Sequence, residues 1–168
     1  ELASEYNRRI DHRTWTAIRE TMMEQETVEL TDQVIQQFLS LLARPKRLGE
    51  QLRKLHQMRV LEKIVPAVKH ARNLLQFNDY HKYTVDEHSM RAVKKATDFF
   101  GDNSVLGSVY RELGNKTILH LALLIHDLGK GFPEDHSEVG REIAEQVGRR
   151  FALTDHNTDI LKHLVHKH

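Results

Sequence analysis

The sequence predicts an all-α domain with a single core, and three observations point there. Apolar residues recur three and four apart in most segments, which is the period of one helix face. Strand-like alternation is weak. Pro occurs only three times and Gly eight times in 168 residues, so long stretches run without a breaker.

The elements follow in order. "TDQVIQQFLSLLARP" has a Thr cap, apolar positions at Val34, Ile35, Phe38, Leu41 and Leu42, and a Pro stop. "KRLGEQLRKLHQM" places Leu48, Leu52 and Leu55 on one face, and "VLEKIVPAV" reads as a short helix ending near Pro66. "ARNLLQFNDYHKY" has no clear period and is a connection. "TVDEHSMRAVKKATDFF" opens with Thr84 and Glu87 in capping-box spacing. "GDNSVLGSVYRELGNK" reads as a polar connector with room for a short helical turn. Three helices close the chain: "TILHLALLIHD", "DHSEVGREIAEQVGRRF" and "NTDILKHLVHKH". Residues 1–60 are expected to form a helical lead-in packed on a core domain at 61–168.

Composition excludes several classes. Net charge is +1, so bulk electrostatics favours neither nucleic acid nor a membrane surface. The longest apolar run, "LALLI", is far short of the roughly 20 residues that span a bilayer. The chain has no Cys, which rules out disulfides and thiolate metal sites and suits a reducing, cytoplasmic location. It begins without Met and stops inside a helical pattern, so both ends are expected to be cuts from a longer protein, with the core domain truncated at its C-terminus.

Histidine is the outlier. There are 12, and nine lie from His81 onward. On a helical wheel at about 100° per residue, His136 shares the apolar stripe of Gly140, Ile143, Ala144, Val147 and Phe151. His168 falls within the stripe of Leu161, Leu164 and Val165, whereas His163 and His166 fall opposite. His88 borders the stripe of Ala92, Ala96 and Phe99. The helix from Thr117 is apolar nearly all round, hence central, and it delivers His126 and Asp127 from its last turn. Any one inward imidazole is ordinarily a core histidine satisfied by a hydrogen bond. Four helices sending imidazoles inward beside a carboxylate is different, because burying them is costly unless something shared binds them. A divalent cation does so, and imidazole with carboxylate suits Mn, Fe, Zn or Mg. The negative end of the central helix favours a cation as well. In "DLGKG", Gly129 is expected to turn the backbone and Lys130 to lie near the metal, either as a solvated surface Lys or as a cation that binds phosphate or stabilises the leaving group. Asp135 caps the next helix.

The strings "DEHSMRAV" and "HDLGK" resemble the HD superfamily of metal-dependent phosphohydrolases, named for a His-Asp pair at a helix end. "LLARPKRLGEQLRKLHQMRVLEKIVP", "YHKYTVDEHS" and "HDLGKGFPEDHSEVG" are similar to the HD region of the bifunctional PII uridylyltransferase/uridylyl-removing enzymes, over most of the chain. The resemblance implies an HD-domain helical bundle that hydrolyses the phosphodiester joining UMP to a tyrosine of the PII signalling protein in nitrogen regulation. It also implies a nucleotidyltransferase domain and glutamine-sensing domains elsewhere in such enzymes, neither of which is in this chain. The superfamily's late Asp ligand normally follows the final His-bearing helix, and no such Asp follows His168 here.

The resulting site has His88, His126 and Asp127 on one divalent ion, with His136 and His168 completing a second site through a bridging Asp127. Coordination lowers the pKa of bound water toward neutrality. Lys130, and His81 in one of two readings, contact phosphate or protonate the leaving oxygen; in the other His81 is a structural hydrogen-bonder. His56, His70, His120, His156, His163 and His166 are read as structural or solvated. Two competing readings stand beside this one. The first is a general HD phosphohydrolase acting on nucleotides. The second is a degenerate HD module that docks proteins without catalysis.

Overall fold

The structure, a computed structural model, describes residues 10–75 and 83–168. Among these residues every regular element is helical. In order they are α1 (His12–Glu24), α2 (Asp32–Ala43), α3 (Leu48–Gln57), α4 (Leu61–Ile64), α5 (Ala67–Ala71), α6 (Val85–Asp98), a 3-10 turn (Phe99–Gly101), α7 (Val105–Glu112), α8 (Lys116–Ile125), α9 (His136–Arg150) and α10 (Asp155–His166). The protein is all-α. No described helix is long and apolar enough to cross a membrane.

Helix α8 is central because it has no polar face to give to solvent. Ile118, Leu121, Ala122, Leu124 and Ile125 are all buried, each large one contributing about 1.5–3 kcal/mol. It packs against α2, α6, α9 and α10. One hydrophobic core runs through the molecule. Ile35, Phe38 and Leu42 of α2 and Leu48 and Leu52 of α3 belong to the same cluster as Ile143, Val147 and Phe151 of α9. Phe38 meets Phe151 edge-on at 5.7 Å, and Arg150 of α9 donates to the carbonyls of Ile64 and Lys63 at 3.1 and 2.9 Å. Helix α1 contributes no buried residue.

Thr31 and Asp135 cap as expected: the Thr31 hydroxyl accepts from Val34 N–H, and the Asp135 carboxylate accepts from Ser137 and Glu138 N–H. Several local expectations are corrected. The short helix does end near Pro66, as α4, but Pro66 also opens α5, where its fixed φ suits a helix start. The capping box of α6 does not form. Thr84 makes no side-chain cap bond, and Glu87 reaches Arg53 and Arg91 at 2.9 and 2.7 Å instead. The expected connector after Gly101 contains the two-turn helix α7, started by Ser104 accepting from Gly107 N–H. Its Tyr110 is buried while Val105, Leu106 and Val109 face outward. Leu164, expected in the buried stripe of α10, is exposed, since Leu161 and Val165 alone face α8 and α9.

His120 is a satisfied core histidine. It is fully buried, its Nδ1–H donates to Leu42 O at 2.6 Å, and the Tyr110 hydroxyl donates to its Nε2 at 2.8 Å. Burial pushes this imidazole below its ordinary value of 6.5, against the opposing pull of the Leu42 carbonyl. The unfolded chain therefore binds the proton first as pH falls. The stabilisation is complete above about pH 6.5 and is lost as pH drops toward the lower folded-state value. Thermal melts of metal-free protein should show a falling Tm between about pH 7 and pH 5, with a shallower fall in His120→Gln. A Tm independent of pH would show that His120 carries no such linkage.

Candidate metal centre

The turn after α8 builds the site. His126 ends the helix in right-handed geometry, and Asp127 follows with only 3% of its surface exposed. Leu128 N–H donates to Ile125 O and Lys130 N–H to Asp127 O, so the chain keeps turning tightly. Gly129 does not supply the left-handed residue expected of it. That conformation belongs to Gly131, at φ +86°. Gly129 serves close approach: a Cβ there would sit 2.2 Å from His136 O and 2.7 Å from Gly140 N. The turn thus lies flat on the first turns of α9. Gly140 in turn lets α9 approach Val165 of α10.

Three donors converge. Nitrogens of His88 and His126 and a carboxylate oxygen of Asp127 lie within 4.8 Å of one another, a group that could hold a metal ion. His88 Nε2 is 3.6 Å and His126 Nε2 3.4 Å from Asp127 Oδ2, and Lys130 Nζ is 2.9 Å from the same oxygen. His168 approaches the other oxygen, with Nε2 3.1 Å from Oδ1. The rings of His88 and His126 are 5.2 Å apart, and those of His126 and His168 are 5.0 Å apart. His136 stands apart from this group. It is exposed, and its nearest imidazole is His168 at 6.1 Å between centroids. His81 lies outside the described residues.

The protonation pattern fits a cation. His126 Nδ1–H donates to Leu123 O at 2.8 Å, which leaves Nε2 as the lone-pair nitrogen of a neutral ring. Burial pushes the His126 pKa down, and this outweighs Asp127 and the Leu123 carbonyl, so the neutral form is favoured. Burial raises the Asp127 pKa, but His126, Lys130 and His88 together hold its carboxyl below the ordinary value. His168 places Nδ1 on Val165 O at 2.6 Å and Nε2 3.1 Å from Asp127 Oδ1. At His126 a lone pair thus faces an ionised carboxylate oxygen at 3.4 Å, a repulsive contact that a shared cation turns into an attraction. Neutral imidazole with ionised carboxylate is the form in which these groups bind metals.

The histidines read as structural or solvated fall in several settings. His156 and His163 are exposed. His70 stacks on Phe132 at 3.9 Å, and His166 lies 3.7 Å from Glu138. His56 is buried, with Nε2 3.0 Å from Asp86 Oδ2, a close polar contact rather than an aligned hydrogen bond. Asp86 is the residue that sequence reasoning passed over. Its only signal is a carboxylate two residues before His88 in a helix's first turn, where acidic residues are ordinary.

Residues 80–168 match the HD domain family. The chain is 32% identical over 136 residues to a bifunctional uridylyltransferase/uridylyl-removing enzyme of Cereibacter sphaeroides, covering 78% of this chain and 15% of the relative. It is 35% identical over 136 residues to the enzyme of the same description from Ruegeria pomeroyi, with the same coverage. The chain therefore spans about 15% of the length of these relatives. With the match extending over more than half of its residues, the chain belongs to the HD domain family.

Proposed function

We propose that the chain is a metal-dependent phosphodiesterase that removes UMP from a uridylylated tyrosine of a PII-type signalling protein. The observation that carries the metal-dependent reading is the neutral His126 Nε2 facing the ionised Asp127 carboxylate within the His88, His126 and Asp127 group. The uridylyl substrate rests on the two relatives, whose names describe a uridylyl-removing enzyme.

His88, His126 and Asp127 would hold the first ion. Asp127 and His168, 3.1 Å apart, would hold a second with His136 as the outlying donor. Imidazole-rich sets suit Mn, Fe or Zn, and Mg remains in the test set. A divalent ion supplies Lewis acidity and lowers the pKa of water toward neutral. The chain's own residues do the rest. Asp127 is kept ionised and aimed by Lys130. Lys130, only 14% exposed at its side chain, holds a positive charge where phosphoryl oxygens arrive beside the carboxylate. The Leu123 carbonyl fixes the tautomer of His126, so its lone pair needs no reorientation, and the Val165 carbonyl orients the His168 ring.

The test uses the chain with Mn, Mg, Fe or Zn and three substrates: a UMP-tyrosine phosphodiester, a generic aryl phosphodiester and a deoxynucleoside triphosphate. The expected result is metal-dependent release of UMP and loss of both diesterase activities in His126→Ala. Cleavage of the triphosphate alone would replace this reading with a nucleotide phosphohydrolase. Metal binding without turnover on any substrate would leave a docking module.

A further inference from the structure

We propose that Asp86, anchored by His56 of α3, is a positioning residue that sets the first turn of α6 and through it the place of His88 in the metal group. The inference rests on the metal-dependent reading above and extends it to residues that touch neither ion nor substrate.

Asp86 is 5% exposed and joins three separate segments. Oδ2 lies 3.0 Å from His56 Nε2 at the end of α3 and accepts from Asn73 N–H at 3.2 Å, while Oδ1 accepts from Glu87 N–H at 3.0 Å. Asn73 adopts a left-handed φ of 57°, which lets its N–H meet the carboxylate. Val85 N–H donates to Leu74 O at 3.0 Å, a second stitch at the same point. Behind His56, Arg72 donates to the His56 carbonyl and to buried Glu62, both at 2.8 Å. The start of α6 is thus tied to α3 and to the 71–75 connection, and it cannot rotate or slide without breaking buried polar contacts.

Asp86 and His88 are two residues apart, about 200° around the helix axis. The first pins the inner face while the second turns toward Asp127 and His126. Holding one face fixes the other. A buried carboxylate is an expensive way merely to fill space, since it must find polar partners that an apolar side chain of similar volume does not need. What it adds is direction. His56 also lies outside the 80–168 stretch that matches the HD family, so the segment before that stretch helps to build the site.

The experiment compares the 168-residue chain with Asp86→Asn, with His56→Gln, and with Phe38→Leu as a packing control whose ring meets Phe151 of α9. Mn affinity is measured by titration on folded protein, kcat and KM on an aryl phosphodiester, and the His88 imidazole signals by NMR on metal-free protein. Asp86→Asn should weaken Mn binding by about tenfold or more and lower kcat while leaving KM within about twofold. His56→Gln should move each reading in the same direction by less. Phe38→Leu should lower Tm and leave metal affinity and the His88 signals alone. Wild-type Mn affinity and unmoved His88 signals in folded Asp86→Asn would overturn the proposal, as would equal loss of affinity in Phe38→Leu. If Asp86→Asn does not fold, His56→Gln decides on the same readouts. If the wild type binds no Mn, the metal reading fails by itself, and the His88 signals still decide whether Asp86 places that ring.

Discussion

Asp127→Asn should abolish stable metal binding and lower phosphodiester hydrolysis by about a thousandfold, corresponding to about 4 kcal/mol of transition-state stabilisation. The size follows from geometry: Asp127 presents one oxygen to His88, His126 and Lys130 and the other to His168. Asn keeps the shape but removes the charge that makes two imidazole lone pairs and a carboxylate a cation site. Lys130→Ala should behave differently. Its metal content should stay close to wild type while turnover falls by about ten- to a hundredfold, because the cation is assigned to phosphate rather than to the ion. Metal analysis of dialysed protein beside steady-state kinetics separates the two. Equal metal content in wild type and Asp127→Asn would remove Asp127 from the site.

The second large effect lies where no donor atom is involved. Gly129→Ala places a Cβ 2.2 Å from His136 O and 2.7 Å from Gly140 N. Both are backbone atoms at the start of α9, so no side chain can swing away. Either α9 lifts or the turn carrying His126 and Asp127 does. The expected cost is about 3 kcal/mol, in the range of overpacked cores, or roughly 6–12 °C in Tm for a chain of this size. Metal affinity should fall with it, since the turn holds two of the three donors. Gly131→Ala should cost less, about 1–2 kcal/mol, from a left-handed φ and a clash with the movable end of Leu74. Gly101→Ala and Gly114→Ala, with nothing within 4 Å of the added carbon, should leave Tm near wild type. Thermal melts of the four variants check the order. A silent Gly129→Ala would show that α9 and the turn are not in close contact.

Much of this molecule was legible before any coordinates. A helical period shows wherever one face is apolar and the other is not, so α2, α3, α6, α8, α9 and α10 could be drawn on a wheel. The all-round apolar character of α8 placed it at the centre, because nothing else can cover such a helix. The His126–Asp127 pair at its end was equally readable, since two polar residues terminating the most apolar run ask for a partner. Periodicity failed for α7, where Val105, Leu106 and Val109 form a face that points away from the core, so the pattern carried no burial information.

Other features depend on distance across the fold, which one-dimensional spacing does not contain. Two glycines within four residues of Asp127 look alike in sequence, yet Gly131 supplies a left-handed turn and Gly129 a close approach to α9. His136 and His168 share the same wheel logic, but only His168 comes within 3.1 Å of Asp127. Asp86 and Glu87 are neighbours in an acidic first turn, and only packing against α3 makes one a buried anchor and the other a surface partner of arginines. The residues alone carried the helices with one apolar face, the central place of α8 and the chemistry at its end. Tertiary structure decided which imidazoles meet the carboxylate, because that depends on how closely backbones approach and on which buried charges find partners.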